Sequence, residues 1–295
     1  MPGFIPRHTY RNLTIAGTCG KIEGMRVPAV LMVVLMAAAG CAVGAPGSRP
    51  AEHPLNTPPT STGEVVAVGT VELPAAVPVS PDPRIGAVFV GDTQLHSCTG
   101  SVLDSPGGDL VLTAAHCLAD GVPAQFVPAF SDASADAQVW SIDDVYLDPR
   151  WSASQDQRAD YAIVRVSDSA GERIESRVGG GLHIGTPPAA NTAVRVIGYP
   201  MGVGGGPVSC AGPTGAAQDG YPSLPCDGMV GGTSGAPWLA GSTIVGIVGG
   251  LDGGGCREDA SFSPPFDASM HAVLARAEAG GPGDQAPASF GSDDC

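Results

Sequence analysis

What most limits the fold of this 295-residue chain is its punctuation, since 43 Gly and 28 Pro cut the sequence after about residue 85 into short apolar runs. The runs are Ala87–Val90, Ser97–Leu103, Asp109–Thr113, Val139–Leu147, Tyr161–Val166, Ala193–Gly198 and Thr243–Val248. Turn-forming stretches lie between them: Ser105-Pro106-Gly107-Gly108, Asp148-Pro149 and Gly204-Gly205-Gly206-Pro207. Val194-Arg195-Val196 alternates as a half-buried strand does, whereas Ile244 to Val248 is continuously apolar, as in a strand covered on both faces. The pattern predicts an all-β domain. Only Asp267–Ala279 reads as helix, with Asp267 or Ser269 as cap, Met270, Val273 and Leu274 on one face, and Gly280-Gly281 as the stop.

The residues before this region carry different signals. Residues 27–39 form an apolar run after Arg26, matching the core of a signal peptide over residues 1–41 and short for a membrane span, with Met25 as an alternative start. Ala38-Ala39-Gly40-Cys41 has the form of a lipobox, which would make Cys41 a lipidated N-terminus. Residues 42–84 are rich in Pro, Ala and Gly and read as a tether; residues 281–295 read as a loose tail. The formal net charge is -15. Without the first 41 residues 10 basic residues remain against 28 acidic ones, a balance that disfavours nucleic acid and anionic lipid as partners. The membrane is expected to be met only through the lipid anchor. The eight cysteines show no Cys-x-x-Cys spacing and no paired histidines, so neither a metal nor a cofactor is expected, and an oxidising compartment outside the cytoplasm is.

Three stretches carry nucleophile chemistry. In Gly231-Gly232-Thr233-Ser234-Gly235-Ala236-Pro237-Trp238 a serine sits among glycines, where backbone N–H groups can crowd a reacting carbonyl without side chains in the way. Leu112 to Cys117 offers His116 as a base, and Asp160 opens an apolar run through Val166. Each has an ordinary reading: a Gly/Ser turn, a structural histidine, a capping aspartate. Their joint occurrence in the order His, Asp, Ser favours catalysis. Asp143, Asp144 and Asp156 are the alternative acids.

Together with Cys98-Thr99-Gly100-Ser101, these motifs resemble the trypsin-like, chymotrypsin-fold serine proteases over roughly residues 85–280, in their bacterial exported branch. The resemblance implies two six-stranded antiparallel β-barrels, at 85–167 and 190–263, a C-terminal helix, and an active site between the barrels. It implies His116, Asp160 and Ser234 as the triad, the N–H groups of Gly232 and Ser234 as the oxyanion hole, a polypeptide substrate and a monomer. A Cys98–Cys117 disulfide is implied too, and Cys210–Cys226 is a second pairing. Cys256 is left for Cys295, or for Cys226 in an alternative scheme.

The sequence departs from digestive family members at Thr233, where they carry the acid that pairs with a newly cut N-terminus. Activation through such a pair after cleavage at Arg84-Ile85 is therefore not expected. Gly228 stands where trypsin-type specificity places an acid, followed by Met229, and Val248 stands where glutamate-specific relatives carry a histidine. With Gly249 these residues form the candidate specificity pocket, and an apolar or small substrate side chain is the default. His96 reads as a packing residue, His53 as exposed, and His183 has no evident partner. A Ser234, Asp252 or Asp259, His271 arrangement of the α/β-hydrolase kind fails on Ala236, where the nucleophile elbow requires glycine. The rival function is a protease-like fold kept as a silent binding module, its cleft gated or obstructed by the loops at 204–206 and 253–255. About 15 residues after the helix leave no room for a PDZ domain.

Overall fold

The computed structural model describes residues 72–132 and 138–288. The expected signal peptide, Cys41, His53 and Cys295 lie outside the described residues.

Among the described residues, fifteen strands and three helices build two β systems. In the first, β2 (Ile85–Val90), β3 (Leu95–Val102), β4 (Leu110–Thr113), β5 (Ala124–Pro128), β6 (Trp140–Leu147) and β7 (Ala162–Ser167) run in the order β3-β2-β5-β6-β7-β4, and the β3–β4 pairing closes the barrel. Its interior is filled by Phe126, Trp140, Tyr146 and the aliphatic residues of β4 and β7, all essentially inaccessible. The second comprises β1 (Val77–Pro78), β8 (His183–Ile184), β9 (Ala193–Gly198), β11 (Val208–Pro213), β13 (Pro237–Ala240) and β14 (Thr243–Ile247), in the order β1-β11-β9-β13-β14-β8, with β8 parallel to β14. A ribbon of β12 (Ser223–Pro225) and β15 (Ala260–Phe262) completes it, and β10 (Gly202–Val203) joins the first system beside β3. The described residues thus have the chymotrypsin-like fold, mostly β. Helix α1 (Pro149–Ser154) and helix α2 (Ile174–Val178) are short, and α3 (Ala268–Glu278) is capped by Asp267, whose side chain accepts from the Ser269 N–H at 2.9 Å.

Two disulfides join cysteines that are both among the described residues, Cys98 to Cys117 and Cys210 to Cys226. A bridge closing a loop of this size stabilises by about 3 kcal/mol. Cys256 is also disulfide-bonded, and its pairing with Cys226 is excluded because Cys226 is taken.

Three sequence expectations change. Within the 42–84 tether, β1 pairs with β11 at Val77↔Ser209, and the Ala76 N–H donates to the Asp227 carbonyl at 2.7 Å. Within the 281–295 tail, Asp284 binds Arg276 at 2.7 Å and accepts from the Leu147 N–H at 2.8 Å, while the Gly281 carbonyl accepts from the Tyr146 hydroxyl at 2.7 Å. His183 has a partner after all, since its Nδ1 lies 2.9 Å from Asp104 Oδ2 on the surface. Apart from the Arg276–Asp284 pair, these contacts join residues far apart in sequence, so local pattern carries no trace of them.

Asp148 ties α1 to both sides of the molecule. Pro149 has no N–H to lose at the first helical position, and the Asp148 carboxylate accepts from the Arg150 N–H at 2.9 Å, from the Arg150 guanidinium at 2.7 Å and from the Tyr161 hydroxyl at 2.7 Å. Arg150 reaches on to Asp267 at 3.2 Å. Burial pushes the Asp148 carboxyl up, but the bonds from Arg150 and Tyr161 outweigh it and bring the pKa down from 3.8 to about 2. A depressed carboxyl adds stability that is present above its ordinary value and is lost as pH falls through the folded one. Asp148→Asn should therefore cost about 3 kcal/mol at neutral pH, the scale of a broken buried pair. Its deficit in melting temperature should shrink below pH 3.8 and close near pH 2, values set by the carboxyl's two states. Thermal melts of parent and variant that stay parallel from neutral to acid pH would refute this role.

Candidate active site

Antiparallel register brings the first two residues together. Thr113 is paired with Ala162, so β4 leaves the barrel at the same end at which β7 enters it. His116 lies on the 3₁₀ turn Ala115–Cys117 just beyond β4, and Asp160 ends the 3₁₀ turn Gln157–Ala159 just before β7. His116 Nδ1 is 2.8 Å from Asp160 Oδ2, and the His116 backbone N–H donates to Oδ1 at 3.0 Å. A third donor, the Gly250 N–H, reaches Oδ2 at 2.8 Å from the second β system. The Asp160 side chain is 3% exposed and that of His116 24%, so the acid is shut off from solvent while the ring keeps part of its surface accessible. Burial raises the Asp160 carboxyl, but the facing imidazole and the hydrogen bonds from His116 and Gly250 outweigh it and hold it below the usual carboxylate range.

Ser234 enters from the other side, on the loop between β12 and β13. Its carbonyl accepts from the Thr99 N–H of β3 at 2.7 Å, and the Gly235 N–H donates to the Val248 carbonyl at 2.7 Å. Thr99 is a residue whose part sequence reasoning missed. Its hydroxyl accepts from the Tyr199 N–H at 2.9 Å and donates to the Gly232 carbonyl at 3.2 Å, so one buried side chain ties the serine loop to the opposite barrel. Gly232 has φ +93°, and a Cβ there would lie 2.0 Å from the Met201 nitrogen. Gly235 has φ +82°, and a Cβ there would lie 2.2 Å from the Thr99 carbonyl oxygen. Only glycine fits either place. Thr233 is fully buried, and its hydroxyl donates to the Val230 carbonyl at 2.7 Å, closing the turn before the serine by a local bond.

His116, Asp160, Gly232 and Ser234 all line one cleft of ≈ 770 Å³, which Trp151, Gln155 and Met201 also line. Among the described residues lining it, the charge-bearing side chains are His116 and Asp160 alone. The candidate pocket residues behave differently. Met229 and Val248 are inaccessible, Gly249 is buried, and none of the three borders the cleft; nor does Gly228. Cys98, His116 and Cys117 stand close enough to share a metal ion, but the two sulfurs are bonded to each other and offer no thiolate. None of the alternative acids lines the cleft: Asp156 caps a turn through the Arg158 N–H at 2.9 Å, Asp144 faces Arg165 at 3.8 Å, and Asp143 lies next to it on β6. His271 is exposed on α3. His96 is buried against Phe89, Phe130 and Tyr199, with Nε2 2.9 Å from the Gly204 carbonyl oxygen.

A model of the trypsin-like peptidase domain matches residues 98–247, slightly more than half of the chain. Among solved structures, the protease Anisep from Arthrobacter nicotinovorans is similar over 70% of this chain and 100% of its own, with 22% identity and a TM-score of 0.60. The thermostable serine protease AL20 from an extremophilic microorganism is similar over 68% of this chain and 99% of its own, with 24% identity and a TM-score of 0.59. Human heparin binding protein shares the fold over 71% of this chain and 98% of its own, with 16% identity and a TM-score of 0.54. No curated protein matches the sequence.

Proposed function

We propose that this chain, which belongs to the trypsin-like peptidase family, is an exported serine endopeptidase acting through His116, Asp160 and Ser234. The observation that carries the reading is the Asp160 carboxylate, buried yet given three N–H donors, two of them from His116. A charged acid at that spot holds the Nδ1–H tautomer, leaving Nε2 as the base. In the mechanism, His116 takes the Ser234 proton as Oγ attacks a peptide carbonyl and returns it to the leaving amine; water then hydrolyses the acyl-enzyme by the same route. The oxyanion is held by the N–H groups of Gly232 and Ser234, each worth roughly 3 kcal/mol of barrier.

No ion pair with a new N-terminus is required. The Ile85 N–H is bonded to the Asp82 carbonyl at 3.1 Å within the chain, and Thr233 closes its own turn. Two disulfides suit an oxidising compartment, and with the apolar run at 27–39 and Cys41 they support a lipoprotein outside the cytoplasm.

The test is labelling of the purified chain with a fluorophosphonate, located by peptide mass spectrometry. Label should fall on Ser234 and disappear in both Ser234→Ala and His116→Ala. A folded, disulfide-intact chain that takes no label would sink the peptidase reading and leave the silent binding module.

A further inference from the structure

Gly228, Met229, Val248 and Gly249 are separated from the cleft by the chain itself. After Gly250 the backbone makes a 3₁₀ turn at Leu251–Gly253, with the Gly254 N–H bonded to the Leu251 carbonyl at 2.9 Å, and folds back inward. A Cβ on Gly254 would lie 2.0 Å from the Gly249 nitrogen and 2.5 Å from its Cα, so the two backbones are in direct contact. A Cβ on Gly255 would lie 3.1 Å from the Met229 carbonyl oxygen and 3.4 Å from both Thr233 Oγ1 and Val248 Cγ1. Both glycines are buried. The segment is fixed on either side, by the Phe262 N–H donating to the Gly254 carbonyl at 3.0 Å and the Gly228 N–H donating to the Glu258 carbonyl at 3.0 Å. The cleft accordingly ends on Gly253, Gly255 and Cys256, the last of which is disulfide-bonded.

We infer that the main chain of Gly254 and Gly255 fills the space that the side chain on the acyl side of the cleaved bond (P1) would occupy, and restricts cleavage to peptides with glycine or alanine there. The inference rests on Ser234 being the nucleophile. Contact with the Gly249 and Met229 backbone and with the Thr233 and Val248 side chains leaves room for a hydrogen or a methyl group and none for a branched or aromatic side chain. A charged P1 group is refused as well. Among the described residues the cleft offers it only Asp160, whose oxygens are already taken by His116 and Gly250.

A series of quenched peptides identical except at P1 tests this on the purified chain. kcat/KM should be highest for Ala and Gly and at least about 100-fold lower for Leu, Phe, Arg and Glu, the range over which a fitted pocket discriminates. Cleavage after Leu, Phe, Arg or Glu within tenfold of Ala would overturn the inference, as would no cleavage after Ala by a chain whose Ser234 takes the fluorophosphonate. That reagent needs no P1 side chain, so its failure to label Ser234 strikes instead at the peptidase reading. A variant lacking Gly253, Gly254 and Gly255 should raise the Leu-to-Ala ratio at least tenfold. A folded variant that kept the parent ratio would also overturn the inference, and if the variant does not fold the parent series decides.

Discussion

Asp160→Asn is expected to lower kcat by about 10⁴ while leaving KM within a few-fold, the scale known for removing this charge in the family's triad. The reason lies in the three donors around the carboxylate. If the asparagine oxygen takes the place of Oδ2, it keeps His116 Nδ1 and Gly250, and its NH₂ is aimed at the His116 backbone N–H that Oδ1 accepted at 3.0 Å. If the amide is turned over, NH₂ faces both the imidazole and the Gly250 N–H. The ring must then accept at Nδ1 and carry its proton on Nε2, where it no longer serves as a base. Either orientation sets donor against donor in a buried place, so a stability loss of about 2 kcal/mol should accompany the kinetic one. Steady-state kinetics together with thermal melts check both halves. A fall in kcat of less than tenfold would show that Asp160 does not orient the base.

Because the Asp160 carboxyl is held below the usual carboxylate range, it stays charged through neutral and mildly acid pH. An acid limb in the parent's rate profile therefore does not belong to this aspartate.

The parts of the molecule legible in the sequence are those fixed by local pattern. The alternating and apolar runs became strands, β4, β6, β7, β9 and β14 among them, because each strand's period is set by its own residues. The α3 cap was legible in Asp267 for the same reason. Helix α1 is less legible: Asp148-Pro149 suits a turn and a helix start alike, and the Arg150 N–H on the Asp148 carboxylate decides for the helix. The site divides in the same way. His116, Asp160 and Ser234 carry recognisable neighbours, whereas Thr99 and Gly250 act through backbone and hydroxyl contacts across 133 and 90 positions of sequence. The candidate pocket divides likewise, since motif spacing locates Met229 and Val248 but does not reveal that Gly255 packs against both.

The proposed oxyanion hole provides the second large effect, because its geometry depends on a glycine that cannot be replaced. At Gly232, φ is +93° and a Cβ would lie 2.0 Å from the Met201 nitrogen, 2.6 Å from the Met201 Cα and 2.7 Å from the Pro200 carbonyl carbon. All of these are backbone atoms, so no side-chain rotation relieves the clash, and Met201 is itself held by its N–H bond to the Gly231 carbonyl at 2.8 Å. Gly232→Ala must therefore turn the Gly231–Gly232 peptide, and with it the N–H proposed to face the oxyanion. Loss of one such donor costs about 10² to 10³ in kcat. KM should change little, since the donor is used mainly in the transition state. Gly206→Ala is the control: Gly206 is exposed, outside the cleft, with nothing within 4 Å of a Cβ. A Gly232→Ala enzyme that keeps kcat within tenfold of the parent would show that the oxyanion is held by other groups. One that loses kcat while still taking the fluorophosphonate would place the loss in the hole and not in the serine and its base.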